Sequence, residues 1–238
     1  MPGEPEGAGE SRRNGFVLAM AGLVGTISVV VVAFLTLQVH LNIGFARDDS
    51  PVLQRVRYHS STRLIEGAQA LVRLGNVETL IVVAIVIGLL LRVRGLRFVL
   101  CATPLASLLV AGAFVTIMKA TIGRTGPLEQ FQFVASDRGS FPSGHSADTM
   151  SLGIGLAIVL GAVLLRRPAE RVIVFGFALA FSAAVGMSTL VLGVHWPTDV
   201  VAGWAVGLGA AVAVATLAVL ATRGEPLAAA RVRPRQLS

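Results

Sequence analysis

Long, uninterrupted runs of apolar residues limit the possible fold of this chain more than any other feature of its sequence. Six such runs cover about 16–39, 77–91, 98–122, 145–165, 172–192 and 198–221. They are close to the roughly 20 residues that a helix needs to cross an apolar membrane core of about 30 Å. Of the 238 residues, 54% are hydrophobic and 14% are charged, whereas about 25% are charged in a typical soluble domain. The sequence therefore predicts an all-α, polytopic membrane protein with about six transmembrane helices, and a soluble protein with very apolar core helices is the weaker alternative.

The segments outside these runs divide the chain into three parts. Residues 1–15 are rich in Gly, Glu and Pro and are predicted to be a disordered cytoplasmic N-terminus. Residues 16–222 form the predicted membrane domain, and residues 223–238 form a basic cytoplasmic tail. The first run is too long for the apolar region of a signal peptide, so we expect it to be retained. Within the longest connection, Ser50–Leu74 mixes apolar residues with arginines, which suits either an amphipathic helix at the membrane surface or a solvated connector.

The arginines predict the orientation of the spans. With six spans, four basic segments fall on one side of the membrane: the N-terminus, the turns at 92–97 and 166–171, and the tail. By the positive-inside rule this side is the cytoplasm. The first outer connection carries five arginines, which weakens the bias without reversing it. The connections 123–142 and 193–197 then lie outside the cell membrane, and the composition, with Lys119 as the only lysine, indicates a GC-rich, bacterial source.

Polar residues are costly within a membrane, so their clustering at the predicted outer ends of spans three to six is informative. The sequence Phe141–His145 leads into the fourth span, where Ser143 is placed to cap the helix. The free amides of the first helical turn form a natural site for an anion, and His145 could donate a proton to a leaving oxygen. An ordinary helix start would explain the proline and the serine but not the histidine.

A second polar cluster stands at the start of the sixth span, where His195 and Asp199 are four residues apart. The Asp199 carboxylate could accept the Nδ1 proton of His195, which would leave Nε2 free to attack and would stabilise the imidazolium. Alternatively, Asp199 interacts only with the helix dipole and His195 is an interfacial residue. Lys119, near the outer end of the third span, could bind phosphate or extend its side chain to the lipid headgroups.

Taken together, the three clusters resemble the motifs of the type 2 phosphatidic acid phosphatase family, which is related to the vanadium haloperoxidases. The family motifs are K-x6-R-P, P-S-G-H and S-R-x5-H-x3-D, and they correspond here to Lys119–Pro127, Pro142–His145 and Ser188–Asp199. The resemblance covers about residues 98–207, and the six-span plan matches that of the membrane members of the family.

The resemblance implies a role for each residue at a matching position. His195 would be the nucleophile that takes the phosphoryl group, Asp199 would orient it, and His145 would protonate the departing oxygen. The phosphate oxygens would be held by three groups: Lys119, Ser143 and the amide of Gly144. No metal or other cofactor is implied, because cations and amides would supply the charge stabilisation.

Two positions depart from the family motifs. The arginine of the first motif is replaced by Gly126, and that of the third motif is replaced by Thr189. Either Arg124 or Arg138, both in the same connection as Gly126, could bind phosphate instead. Each uncompensated loss of such a donor can cost roughly 10²–10³ in rate.

We therefore predict a membrane phosphatase that hydrolyses a lipid phosphate or an isoprenoid pyrophosphate through a phosphohistidine, on the extracytoplasmic side. Phosphatidic acid, phosphatidylglycerophosphate and undecaprenyl pyrophosphate are candidate substrates. The alternatives are a weak or inactive relative that binds phosphate-bearing lipids, and a transporter or structural membrane protein. The predicted partner is a phosphorylated lipid and not a nucleic acid. The Gly203–Gly207 spacing is weak evidence for a homodimer.

Overall fold

All regular structure in the described part of the chain is helical. The computed structural model describes residues 6–127 and 139–222, with side chains from residue 15 onward. The helices in these ranges are α1 (Glu6–Leu41), α2 (Phe45–Tyr58), α3 (Thr62–Leu74), α4 (Val77–Val93), α5 (Phe98–Ile122), α6 (Gly144–Val163), α7 (Pro168–Val191) and α8 (Pro197–Thr222). The predicted all-α class is confirmed.

Five of these helices are long and apolar enough to cross a membrane: α1 from Gly15, and α5, α6, α7 and α8. A sixth span is possible if α3 and α4 count together, although they are bent by 52° at the break between them. The predicted number of about six spans agrees with this count. Helix α1 begins at Glu6, so residues 6–15, which were predicted to be disordered, are helical in this structure. Extending an existing helix by one residue costs far less than starting a new one.

The helix boundaries follow local chemistry. Pro168 and Pro197 are the first residues of α7 and α8, a position where the missing N–H has no intrahelical partner to lose. Helix α5 ends at Ile122 and is capped by Gly123, whose φ of 60° is the left-handed conformation typical of a helix C-terminus. The end of the bundle where α5 stops and where α6 and α8 begin is called the site end below.

Helices α6 and α8 form the centre of the bundle. Two glycines of α8 allow their backbones to touch, because a Cβ at Gly203 would collide with the Ser143 carbonyl oxygen and one at Gly207 with that of Ala147. Small residues at such interfaces are typical of membrane helix pairs. The Gly203–Gly207 pair therefore packs within the chain and does not support a homodimer.

The long connection between α1 and α4 is folded onto the site end. Leu53 of α2 is buried against Leu190 and Val200, and Ala68 of α3 packs with Val191. Of the two alternatives for Ser50–Leu74, the amphipathic helix is the one observed, although it is divided into two helices.

Candidate active site

The starts of α6 and α8 are joined directly at the site end. The backbone N–H of Ser143 donates a hydrogen bond of 2.9 Å to the carbonyl of Asp199. One turn further along α8, Gly203 lies against the Ser143 carbonyl. These contacts bring together two segments that are more than 50 residues apart in the sequence.

Ser143 caps α6, as the sequence predicts. Its hydroxyl accepts a hydrogen bond of 3.4 Å from the N–H of Ser146, and its carbonyl accepts one of 3.1 Å from Ala147. The amides of Gly144 and His145, in the same first turn, have no carbonyl partner within the helix. This turn therefore offers both N–H donors and the positive end of the helix dipole to an anion.

His195 and Asp199 form a buried pair in the connection between α7 and α8. The Nδ1 of His195 lies 3.4 Å from Oδ2 of Asp199, and the side chains are 8% and 0% exposed. The same Oδ2 accepts a hydrogen bond of 2.9 Å from the backbone of Trp196. Nδ1 makes no hydrogen bond of good geometry within the described residues. The structure thus places the two groups next to each other, but the predicted hydrogen bond between them is not formed in this geometry.

His145 has a partner that the sequence analysis missed. Its Nε2 lies 3.0 Å from Oδ1 of Asn76, the residue that precedes α4. No local pattern links two residues that are 69 positions apart, so only the folded chain reveals this pair. A bond between them fixes the orientation of the His145 ring.

Lys119 stands in the last turn of α5, at the same end of the bundle. Its ammonium interacts electrostatically with Asp199 and Asp148, and His145 interacts in the same way with both Lys119 and His195. The two imidazoles and the ammonium therefore share one region of the site end. Two imidazoles and an ammonium in one region are groups that could serve as a nucleophile, an acid and a cation in phosphoryl transfer.

The comparison with known proteins gives a match to one family. The profile of the PAP2 superfamily matches residues 100–223, which is just over half of the chain. The chain belongs to the PAP2 superfamily. The family predicted from the three motifs is thus confirmed.

Two solved structures have a similar fold. A transmembrane PAP2-type phosphatidylglycerolphosphate phosphatase from Bacillus subtilis matches with a TM-score of 0.70 and 22% identity, over 80% of this chain and 93% of that chain. LpxE from Aquifex aeolicus matches with a TM-score of 0.52 and 16% identity, over 70% of this chain and 93% of that chain. At these identities the likeness shows the fold alone. No curated protein matches the chain in sequence. PAP2 membership and this fold support the coarser prediction of a membrane lipid phosphatase.

The two altered PAP2 motif positions carry no cation. Thr189 is fully buried, and its hydroxyl donates a hydrogen bond of 2.6 Å to the carbonyl of Gly186. A Cβ added at Gly126 would lie 3.8 Å from the Cβ of Ser140. Arg138, one of the two predicted substitutes, lies outside the described residues.

Arg124, the other predicted substitute in this PAP2 chain, is bound to carboxylates. One guanidinium nitrogen is 2.5 Å from Oδ1 of Asp199, and the other is 2.6 Å from Oδ2 of Asp49. The first nitrogen also donates a hydrogen bond of 2.8 Å to the hydroxyl of Thr198. The role of Arg124 as a phosphate ligand stays a prediction, and it would require at least one of these bonds to break.

Two acidic residues near the PAP2 motifs were also missed by the sequence analysis. Asp49 of α2 is 2% exposed. Burial raises the pKa of its carboxyl, and the hydrogen bonds from Thr198 and Arg124 offset part of that rise. Asp148 of α6 is 8% exposed, and its Oδ1 has no hydrogen-bond partner within the described residues. Neither residue belongs to a motif, so their positions in the sequence gave no signal.

Proposed function

We propose that this protein hydrolyses the phosphate or pyrophosphate group of a membrane lipid through a phosphohistidine formed on His195. The observation that carries the proposal is the meeting of His195, His145, Lys119 and the N-terminus of α6 at one end of the bundle. None of these groups alone is specific, but together they supply a nucleophile, a proton donor and charge stabilisation.

In the first step, Nε2 of His195 attacks the phosphorus atom. A nitrogen–phosphorus bond forms while the bond from phosphorus to the leaving oxygen breaks. Asp199, 3.4 Å from Nδ1, stabilises the positive charge that develops on the ring. His145 gives a proton to the leaving oxygen, which departs as an alcohol or as a lipid phosphate.

In the second step, water attacks the phosphohistidine. His145, now neutral, accepts a proton from the water as the oxygen–phosphorus bond forms, and His195 leaves with its electron pair. Inorganic phosphate is released and both histidines return to their starting states. Lys119, Ser143 and the first-turn amide of Gly144 hold the equatorial oxygens throughout, which is the kind of preorganised stabilisation that lowers such barriers most.

The orientation of the helices supports a site on the extracytoplasmic side. Helix α5 runs from Phe98 to the site end, and α6 runs back from it to Val163. The basic turns at 92–97 and 166–171 therefore lie at the opposite end of the bundle, where the positive-inside rule places the cytoplasm. Lipids of the outer leaflet and exported isoprenoid carriers would meet the site there.

A second candidate function is binding of phosphate-bearing lipids with little turnover. The observation that favours it is the replacement of two family arginines by Gly126 and Thr189. The intact histidines, Asp199 and Lys119 favour the enzyme.

Release of inorganic phosphate by the purified protein in detergent distinguishes the two functions. The substrates are phosphatidic acid, phosphatidylglycerophosphate and undecaprenyl pyrophosphate, each given to the wild type, to His195→Ala and to His59→Ala. His59 is an exposed histidine of the α2–α3 connection and serves as the matched control. We expect release by the wild type and His59→Ala and none by His195→Ala. No release from any lipid by the wild type, or equal release by His195→Ala, would refute the proposed enzyme.

A further inference from the structure

A buried network of charges joins α2 to the candidate nucleophile. The guanidinium of Arg124 bridges Asp49 and Asp199, as described above. Asp49 continues the network on its other side, because its Oδ1 accepts a hydrogen bond of 3.0 Å from the N–H of Thr198 and its Oδ2 accepts one of 2.5 Å from the Thr198 hydroxyl. Asp49 therefore caps the first turn of α8 from another helix, 149 positions away in the sequence.

The burial of this network makes its charge balance important. Asp49 and Asp199 are 2% and 0% exposed, and the Arg124 side chain is 13% exposed. Two carboxylates and one guanidinium leave a net charge of about −1, and Asp199 is the member that faces His195. Loss of one partner from a buried ion pair leaves the charge of the other uncompensated. Each charge in the network therefore affects the electrostatic potential at its neighbours.

The geometry also limits what else Arg124 can do. Both terminal nitrogens are used by oxygens of Asp49, Thr198 and Asp199, and its guanidinium lies 5.6 Å from the ring centre of Trp196. A guanidinium held on three oxygens and an aromatic ring is fixed in place. Its bonds are directed at the carboxylate that orients the nucleophile.

We propose that Asp49 and Arg124 are positioning residues for His195, acting through Asp199, and that Arg124 is not a phosphate ligand. This inference rests on the proposed function, in which His195 is the nucleophile. It makes α2, which precedes every PAP2 motif in this chain, a part of the machinery that orients the reacting group.

The network predicts pH effects of opposite sign for its two ends. Asp49→Asn removes a negative charge, so protonated groups at the site are less favoured and the acidic limb of kcat/KM moves to lower pH. Arg124→Gln removes a positive charge, so the same limb moves to higher pH. Each shift should be about half a pH unit or more, given charges held in a partly buried site. The charged groups that stay unchanged in both variants are Asp199 and His145, which interact with His195, and Lys119, Asp148 and Glu78, which interact with those two groups or with each other.

The experiment compares Asp49→Asn and Arg124→Gln with two exposed neighbours on α2, Asp48→Asn and Arg47→Gln. The full chain in detergent is assayed for kcat, for the pH profile of kcat/KM and for the Ki of inorganic phosphate. We expect kcat to fall about tenfold or more in both network variants, with limbs shifted in opposite directions and Ki changed less than about threefold. The two controls should match the wild type.

Four outcomes would overturn the inference. Shifts of the same sign, or no shift, would show that the network does not act through the charge of Asp199. An Arg124→Gln variant whose Ki for phosphate rises as much as that of Lys119→Gln would make Arg124 a phosphate ligand. Wild-type kinetics in Asp49→Asn and Arg124→Gln beside an inactive His195→Ala would remove the positioning role but leave the proposed function intact. No release by the wild type would remove both.

The double variant Asp49→Asn with Arg124→Gln keeps the test decisive if a single variant fails to fold. It removes one charge of each sign and keeps the net charge near −1, so we expect its limb to lie closer to the wild-type position than that of the single variant that folds. A double variant whose limb is displaced as far as that of the single variant would also overturn the inference.

Discussion

The contact between α6 and α8 at Gly203 should control the activity of the site, and replacement by alanine tests this directly. A Cβ at Gly203 would lie 2.9 Å from the Cβ of Ser146 and 3.3 Å from the N–H nitrogen of Ala147, and it would collide with the Ser143 carbonyl oxygen. Carbon atoms in favourable contact are about 3.5–4.0 Å apart. The two helices must therefore separate by about 0.6 Å or more at this point.

This displacement would move residues of the candidate active site. Gly203 lies one turn after Asp199 on α8, and Ser143 is the cap of α6. The hydrogen bond of 2.9 Å between Ser143 and Asp199 would lengthen to about 3.5 Å, the limit of a useful bond. A misplacement of about 1 Å in an active site can cost 10²-fold in rate, so we expect kcat to fall about 10–10²-fold. The accompanying loss of stability should be about 1–3 kcal/mol, as for other overpacked sites.

The assay is phosphate release by Gly203→Ala in detergent, alongside Gly176→Ala and a thermal melt of each protein. Gly176 is a helical glycine of α7 with no heavy atom within 4 Å of an added Cβ, so its variant should behave like the wild type. Circular dichroism should show that Gly203→Ala keeps its helices. If Gly203→Ala released phosphate as fast as Gly176→Ala and melted at the same temperature, the contact would not set the geometry of the site.

Two further predictions concern other residues of the site. Asn76→Ala should lower kcat about tenfold with little change in KM, because His145 loses the partner that orients it; an unchanged kcat would show that Asn76 has no part in turnover. Gly126→Arg should raise kcat/KM at least severalfold, since it restores a family arginine where an added Cβ keeps 3.8 Å from its neighbours; a fall in kcat/KM with an unchanged melting temperature would contradict this.

The spans and the three motif segments could be predicted because their signals are local. Apolar runs determine the helices, and the sequence around Ser143 determines where α6 begins. The break between α3 and α4 was not predicted, because α4, with 17 residues, was taken as a complete span by itself. Its bent partner α3 has a mixed composition that indicates a surface helix.

The partners of the site residues could not be predicted, because each depends on tertiary structure. Asn76 meets His145, and Asp49 meets Arg124, only after several helices have packed. Arg124 was predicted to bind phosphate because it lies close to Gly126 along the chain. In the folded protein its direction is set instead by carboxylates from α2 and α8.

The distribution of charge around the site indicates which interactions must stabilise the transferring phosphoryl group. Of the predicted cationic ligands that the structure describes, Arg124 is shared between two carboxylates, which leaves Lys119. The N-terminus of α6 adds the equivalent of about half a positive charge and a set of N–H donors. Because both are fixed by the packing of α5, α6 and α8, they need no rearrangement as charge develops. If the described residues supply no further cation, the proposed function requires the lipid part of the substrate to supply much of the binding energy.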